Sequence, residues 1–145
     1  MISEAFIRRV ALALPGAYEH ASHDGQPSWR TKPRMFAWIR RDLDALVVWV
    51  DSLDAKEALI ATRPKLCFTT PHYDGYAIVL VRMKAASQPL ARVLIEESWK
   101  VRAPASTRRS GAAQLAERLP RPPLSLLKAH RAARAPSKTR RARST

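Results

Sequence analysis

Several small groups of side chains in this sequence have the types and spacing to do chemistry. His72, Tyr73 and Asp74 stand together in Pro71-His-Tyr-Asp-Gly75. A histidine in that setting can donate to a phosphate or exchange a proton near neutral pH. The commoner role of such a pair is to tie a loop down by hydrogen bonds, but loops are also where function concentrates. His72 and Tyr73 therefore stand as ligand-contact candidates. His20, His23 and Asp24 form an H-x-x-H-D cluster. Histidines three apart can share a metal on a helix, but Pro15–Gly16 and Gly25–Pro27 set this stretch in a loop. A metal site also needs further ligands and an ordering shell, so we expect a solvated loop, with no metal and no cofactor. Cys67 has only Lys65 nearby to lower its pKa and reads as packing. Glu96 and Glu97 point about 100° apart on a helix, a poor acid–base pair. No catalytic residue emerges, and a non-enzymatic role is expected.

Trp29, Arg30, Lys32 and Arg34 interleave an aromatic with cations, and Arg40 and Arg41 follow the next strand. On a nucleic-acid surface, cations hold phosphates while an aromatic stacks a base. The alternative is that Trp29 packs in the core and the cations are ordinary solvated surface. Trp38 and Trp49 read as core or as an apolar groove.

Charge is distributed unevenly. The 145 residues carry a formal net charge of +14. Residues 1–100 hold 14 Lys+Arg against 11 Asp+Glu, whereas residues 101–145 hold 12 against one, Glu117. All ten aromatic residues lie between Phe6 and Trp99. A segment so rich in cations and poor in large apolar side chains cannot offset the entropy of ordering it. We expect a folded body over residues 1–104 and a basic, mostly disordered tail over residues 105–145. Within the tail, Ser110–Leu119 and Leu124–Arg134 have helical spacings, but isolated helices this short are marginal in water. A run of cations repels itself unless it meets something acidic, and nucleic acid is the commonest such partner. Leu124–Arg134 lacks the Trp and Phe that would insert into a membrane, so no membrane partner is expected.

The remaining composition excludes several classes. One cysteine rules out a disulfide framework and cysteine-rich metal sites. Gly16, Gly25, Gly75 and Gly111 fall into no phosphate-cradling motif. The longest apolar run, Ala45–Val50, is far short of a membrane span, and Glu4, Arg8 and Arg9 break any secretory pattern. A cytoplasmic protein is the expectation.

The elements that must position these residues can be read from periodicity. Ile2, Phe6, Val10 and Leu14 recur every four residues, a helix that Pro15–Gly16 ends. His20–Lys32 reads as a loop leading into a strand around Ser28–Thr31. Met35–Ile39 and Leu46–Val50 read as strands about a polar turn. Asp54-Ala-Lys-Glu57 has the spacing of a capping box. Strands follow at Lys65–Thr69 and Tyr76–Val81, with a turn signal at Asp74–Gly75. A last helix runs from Pro89 to Trp99, with Glu96 and Lys100 as an i,i+4 pair. The order is α-β-β-β-α-β-β-α. Short connections imply one antiparallel sheet, with the helices on one face: a two-layer α+β domain.

Three separated segments carry a family likeness. Ala11-Leu-Ala-Leu-Pro15-Gly16-Ala17, then Gly25-Gln-Pro27-Ser-Trp29-Arg30 and Met35-Phe36-Ala37-Trp38, resemble the opening of the MmcQ/YjbR family. Phe68-Thr-Thr-Pro71-His72-Tyr73-Asp74-Gly75 and the closing Glu97-Ser98-Trp99 with Ala103-Pro104 are similar too. The likeness covers about residues 2–104 and leaves the tail as an addition. It implies a fold like that of type III secretion chaperones, comparable to frataxin-like domains, and a role described as DNA binding. That role rests on fold analogy. The family offers no catalytic residues to carry over, only signature positions: Pro27, Trp29, Phe36, His72, Tyr73 and Trp99.

Together these readings lead to a largely sequence-nonspecific binder of double-stranded DNA. Its expected contacts are Arg30, Lys32 and Arg34 on the body and Arg108, Arg109, Lys128, Arg131, Arg134, Lys138, Arg140, Arg141 and Arg143 in the tail, with Trp29, His72 and Tyr73 as ligand contacts. Two alternatives use other chemistry. One is a peptide-binding module with an apolar face or open sheet edge. The other is a small-ligand site around His72, Tyr73 and Trp29.

Overall fold

The first helix forms where its cap and apolar stripe agree. Ser3 Oγ accepts from Phe6 N at 3.1 Å, capping α1 (Glu4–Leu12). Phe6, Ile7, Val10 and Ala11 are buried along one face, and each of the larger three contributes about 1.5–3 kcal/mol. The computed structural model describes residues 1–22, 25–32 and 34–109. After α1 come β1 (Tyr18–Ala21), β2 (Pro27–Thr31), β3 (Arg34–Arg40), β4 (Ala45–Trp49), α2 (Leu53–Thr62), β5 (Cys67–Phe68), β6 (Ile78–Arg82) and α3 (Gln88–Arg102).

Six strands form one antiparallel sheet in the order β1-β2-β3-β4-β6-β5. The α+β architecture is as expected, with one more strand. Tyr18–Ala21, part of which reads as loop in the sequence, is an edge strand paired to β2. All four of its residues are exposed, so no alternation of apolar and polar side chains marks it.

Side-chain alternation sorts the sheet into two faces. Leu46, Val48, Val79 and Val81 join the helices in the main core. Ala45, Val47, Ile78 and Leu80 face the other way, and Trp38, Leu43, Trp49 and Phe68 pack partly buried against them. A bulge changes the parity of β3. Trp29 pairs with Ala37, but Arg30 pairs with Met35, leaving Phe36 as the extra residue. Phe36, Ala37 and Ile39 consequently all lie in the helix-side core.

Ser98 of α3 holds this region together. Its hydroxyl donates to the Phe36 carbonyl and accepts from Trp49 N at 2.8 Å. Trp99 Nε1 donates to Pro15 O at 3.0 Å, tying α3 to the turn that ends α1. That turn needs Gly16, whose φ is +72° and where a Cβ would lie 3.2 Å from Thr107 Cγ2. Helix α2 starts two residues before the expected box: Ser52 is its cap and accepts from Ala55 N at 3.1 Å. The Glu96–Lys100 pair forms as expected, at 3.4 Å.

Order continues past Pro104, where the basic tail is expected to begin. Residues 105–109 are helical, and Arg108 N donates to Pro104 O at 3.0 Å. The rest of the expected tail, and with it any question of its disorder, lies outside the described residues. Among the described residues no helix is long and apolar enough to cross a membrane.

Candidate functional site

The sheet face away from the helices carries an open groove of about 1130 Å³. Strand alternation and the bulge decide which side chains reach it. Arg30 enters from β2, Met35, Trp38 and Arg40 from β3, and His20 from β1. His72 and Tyr73 close one side from the 3-10 turn Pro71–Tyr73.

Tyr73 organises that side. Its ring meets His72 edge-on at 4.8 Å and lies 6.4 Å from Trp38, tilted by 48°. Its hydroxyl accepts from Arg40 Nη1 at 2.9 Å. Behind it, Lys56 Nζ donates to Tyr73 O at 2.8 Å and to Tyr76 O at 2.9 Å. Lys56 is only 6% exposed, so a buried ammonium pins this connection from below. Gly75 takes the turn with φ +84°.

The groove's cations differ in how far they are neutralised. Arg40 grips Asp42 with two nitrogens, at 3.0 and 2.8 Å. That bond, followed by the one to Tyr73, raises the Arg40 pKa, and the same bond lowers the Asp42 carboxyl. Arg41 pairs with Glu4 at 2.8 and 2.9 Å, which holds Glu4 low. Arg30 is the exception. Among the described residues it has no carboxylate partner, and its Nε is buried without a hydrogen bond.

The expected basic–aromatic cluster is split by the fold. Trp29 is fully buried on the helix side, and its Nε1 donates to Glu19 Oε1 at 3.0 Å. It is a core residue and no ligand contact, which corrects that expectation. Neighbours along a strand face opposite ways, so Trp29 and Arg30 cannot share a surface. Lys32 is exposed in the β2–β3 turn, apart from the groove's lining. Arg34 lies near the end of α3 instead, with Arg102 and Arg108. Arg109 is exposed. Lys128, Arg131, Arg134, Lys138, Arg140, Arg141 and Arg143 lie outside the described residues.

His72, Tyr73 and Arg30 do converge on the groove, and His20 joins them. His23 and Asp24 lie outside the described residues. Among the described ones, no three His, Cys, Asp or Glu side chains cluster as metal ligands. Cys67 is buried, and desolvation pushes its thiol up to about 11, leaving it a packing residue. Two contributors escape sequence reading. Lys56 looks like the exposed third residue of a capping box, and Arg102 like one more cation at the end of a helix. Nothing in the local pattern marks either.

Comparison with known proteins places this geometry. An uncharacterised protein of Mycobacterium tuberculosis is 36% identical over 115 residues, covering 68% of this chain and 86% of that one. Its counterpart in Mycobacterium bovis matches equally. The crystal structure of a Deinococcus radiodurans protein of domain family DUF419 superposes with a TM-score of 0.59 at 20% identity. It covers 73% of this chain and 85% of that one, and shares the fold. The model of the YjbR family matches residues 12–101, from the end of α1 through nearly all of α3 and including every side chain named in the groove. The chain belongs to the YjbR family.

Proposed function

We propose that this protein binds DNA, without strong sequence preference, through the cation-rich segment beyond residue 105 and the groove on the helix-free sheet face. The groove contributes the geometry. The observation that carries this role is Arg30, a guanidinium in a concave, aromatic-lined surface with no described carboxylate to neutralise it. An unpaired guanidinium is a natural phosphate ligand. Half-buried Trp38 and the His72 ring offer a base something to stack on beside it.

The cation-rich segment contributes affinity. With 12 Lys+Arg and a single acid in residues 101–145, its association with a polyanion is driven by counterion release. Base readout is weak, because the segment contains no Asn and one Gln, Gln114. A recessed Trp38 favours a base that has left the helical stack, so gapped or frayed duplex should bind more tightly than intact duplex. Fluorescence anisotropy with labelled duplexes, intact and gapped, tests this. Binding of the gapped form should weaken in Trp38→Ala, and binding of both forms in Arg30→Gln. Equal affinity for both duplexes, unaltered by either change, would remove the groove from the mechanism.

A peptide-binding reading has less support. The apolar residues of the helix-free face are covered in part by cations: Arg82 lies 4.2 Å over the Phe68 ring and Arg102 4.1 Å over Trp49. That surface is more polar than a hydrophobic docking face.

A further inference from the structure

A second, smaller cleft opens where α3 ends. Arg34, at the first position of β3, Arg102, at the last position of α3, and Arg108, in the turn of helix that follows, line a hollow of about 310 Å³. Its other walls are Val101, Ala103, Pro104 and Ala105. No acidic side chain among the described residues lines it.

Arg102 is the fixed member. Its guanidinium rests 4.1 Å over the Trp49 ring, and its Nε donates to Met35 O at 3.4 Å. Those contacts hold the planar group by one face and one edge. Arg108 gives Nη1 to the Lys100 carbonyl at 3.0 Å, which keeps it beside the helix end. Burial, and then the charge of Arg34, weaken the hold of Arg102 on its proton relative to an ordinary arginine. Three cations are thus gathered in one cleft with no carboxylate among its described lining residues.

We propose that the Arg34–Arg102–Arg108 cleft is an oxyanion site that takes a phosphoryl group. Guanidinium forks match the oxygen spacing of phosphate, and several of them suit a dianion better than a single carboxylate. The volume admits a phosphate with several waters, since one water occupies about 30 Å³ of liquid. The group can therefore be free phosphate or the terminal phosphate of a DNA strand. This site rests on residues outside the Arg30 groove and stands or falls separately from it.

The test is a titration of the full chain with inorganic phosphate at constant ionic strength, followed by the arginine Nε–Hε signals in NMR. Saturable shifts of Arg102 are expected. Arg34→Gln and Arg102→Gln should each weaken binding about tenfold, the usual scale for one charge-assisted bond. Lys84→Gln, an exposed cation outside both clefts, should leave it unchanged. If Arg102→Gln does not fold, Arg34→Gln and the exposed Arg108→Gln carry the comparison. Two oligonucleotides of one sequence, with and without a 5′-phosphate, separate the sources. Tighter binding of the phosphorylated strand, lost in Arg34→Gln, identifies a strand end. Equal binding of both strands, with saturable phosphate binding, identifies the free ion. No saturable response to phosphate and no preference for the 5′-phosphate overturns the proposal, as does an equal loss in Lys84→Gln.

Discussion

Lys56 and Tyr73 are joined from below the groove: the Lys56 ammonium donates to the Tyr73 carbonyl at 2.8 Å, while the Tyr73 hydroxyl receives Arg40 at 2.9 Å above. The loop that carries His72 is thereby fastened at both ends of one residue. Lys56→Met keeps most of the side chain's volume but removes the ammonium from two carbonyls. It should lower stability by about 2–3 kcal/mol, the cost of losing charge-assisted bonds and stranding their acceptors. Urea denaturation measures this. The His72 ring signals in NMR should shift in the same variant, because its edge contact depends on Tyr73.

Tyr73→Phe separates the two fastenings. It removes only the phenol, and Arg40 keeps both bonds to Asp42. A loss of about 1 kcal/mol is expected, typical of one hydrogen bond. A loss as large as that of Lys56→Met would show that the phenol, rather than the backbone anchor, holds the loop.

Trp29 separates core from surface. Trp29→Ala should cost about 3–5 kcal/mol, the range for truncating a buried tryptophan. DNA affinity per folded molecule should stay constant, measured by anisotropy at a temperature where the variant is still folded.

Acid should weaken the fold through three ion-paired carboxylates. Glu4 and Glu19 are held below their ordinary value of 4.5 by bonds from Arg41 and Arg8, and Asp42 below 3.8 by Arg40. A lowered folded-state pKa contributes stability above the unfolded value and loses it as pH falls through the folded one. The loss should therefore begin near pH 4.5 and deepen below it. The pairs are largely exposed, so the effect is small and shrinks with salt. In Glu4→Gln/Glu19→Gln, the melting temperature should change less steeply with pH between 5 and 3 than in the unaltered chain.

Much of this fold is legible in the sequence because core-facing periodicity is strong. The stripe of α1, the branched runs of β3, β4 and β6, and the Ser87–Trp99 helix each follow from spacing and caps. Strand β1 is not legible, because an exposed edge strand buries no face and shows no alternation. The bulge at Phe36 carries no glycine to announce it, yet it sends Met35, Trp38 and Arg40 to the groove while Phe36 and Ala37 stay in the core. Arg30 and Arg34 serve different clefts for a simpler reason: Arg34 pairs with Thr31, and Thr31 faces away from its neighbour Arg30. His72 and Tyr73 are legible as a chemically rich loop. The buried Lys56 beneath them is a tertiary fact, since a lysine beside Glu57 on a helix reads as solvated.

Whether the cationic segment or the body drives the proposed DNA binding is read from a salt titration of gapped-duplex affinity. The comparison is between the full chain and one in which Lys128, Arg131, Arg134, Lys138, Arg140, Arg141 and Arg143 are all glutamine. If about half of the cations beyond residue 100 engage phosphates, log K should fall against log salt with a slope of roughly −5, at about 0.9 per contact. The substituted chain should keep its melting temperature, lose most of its affinity and show a slope of about −1 to −2 from the few remaining contacts. An unchanged slope and affinity after neutralising those seven side chains would contradict the proposed division of labour between segment and groove.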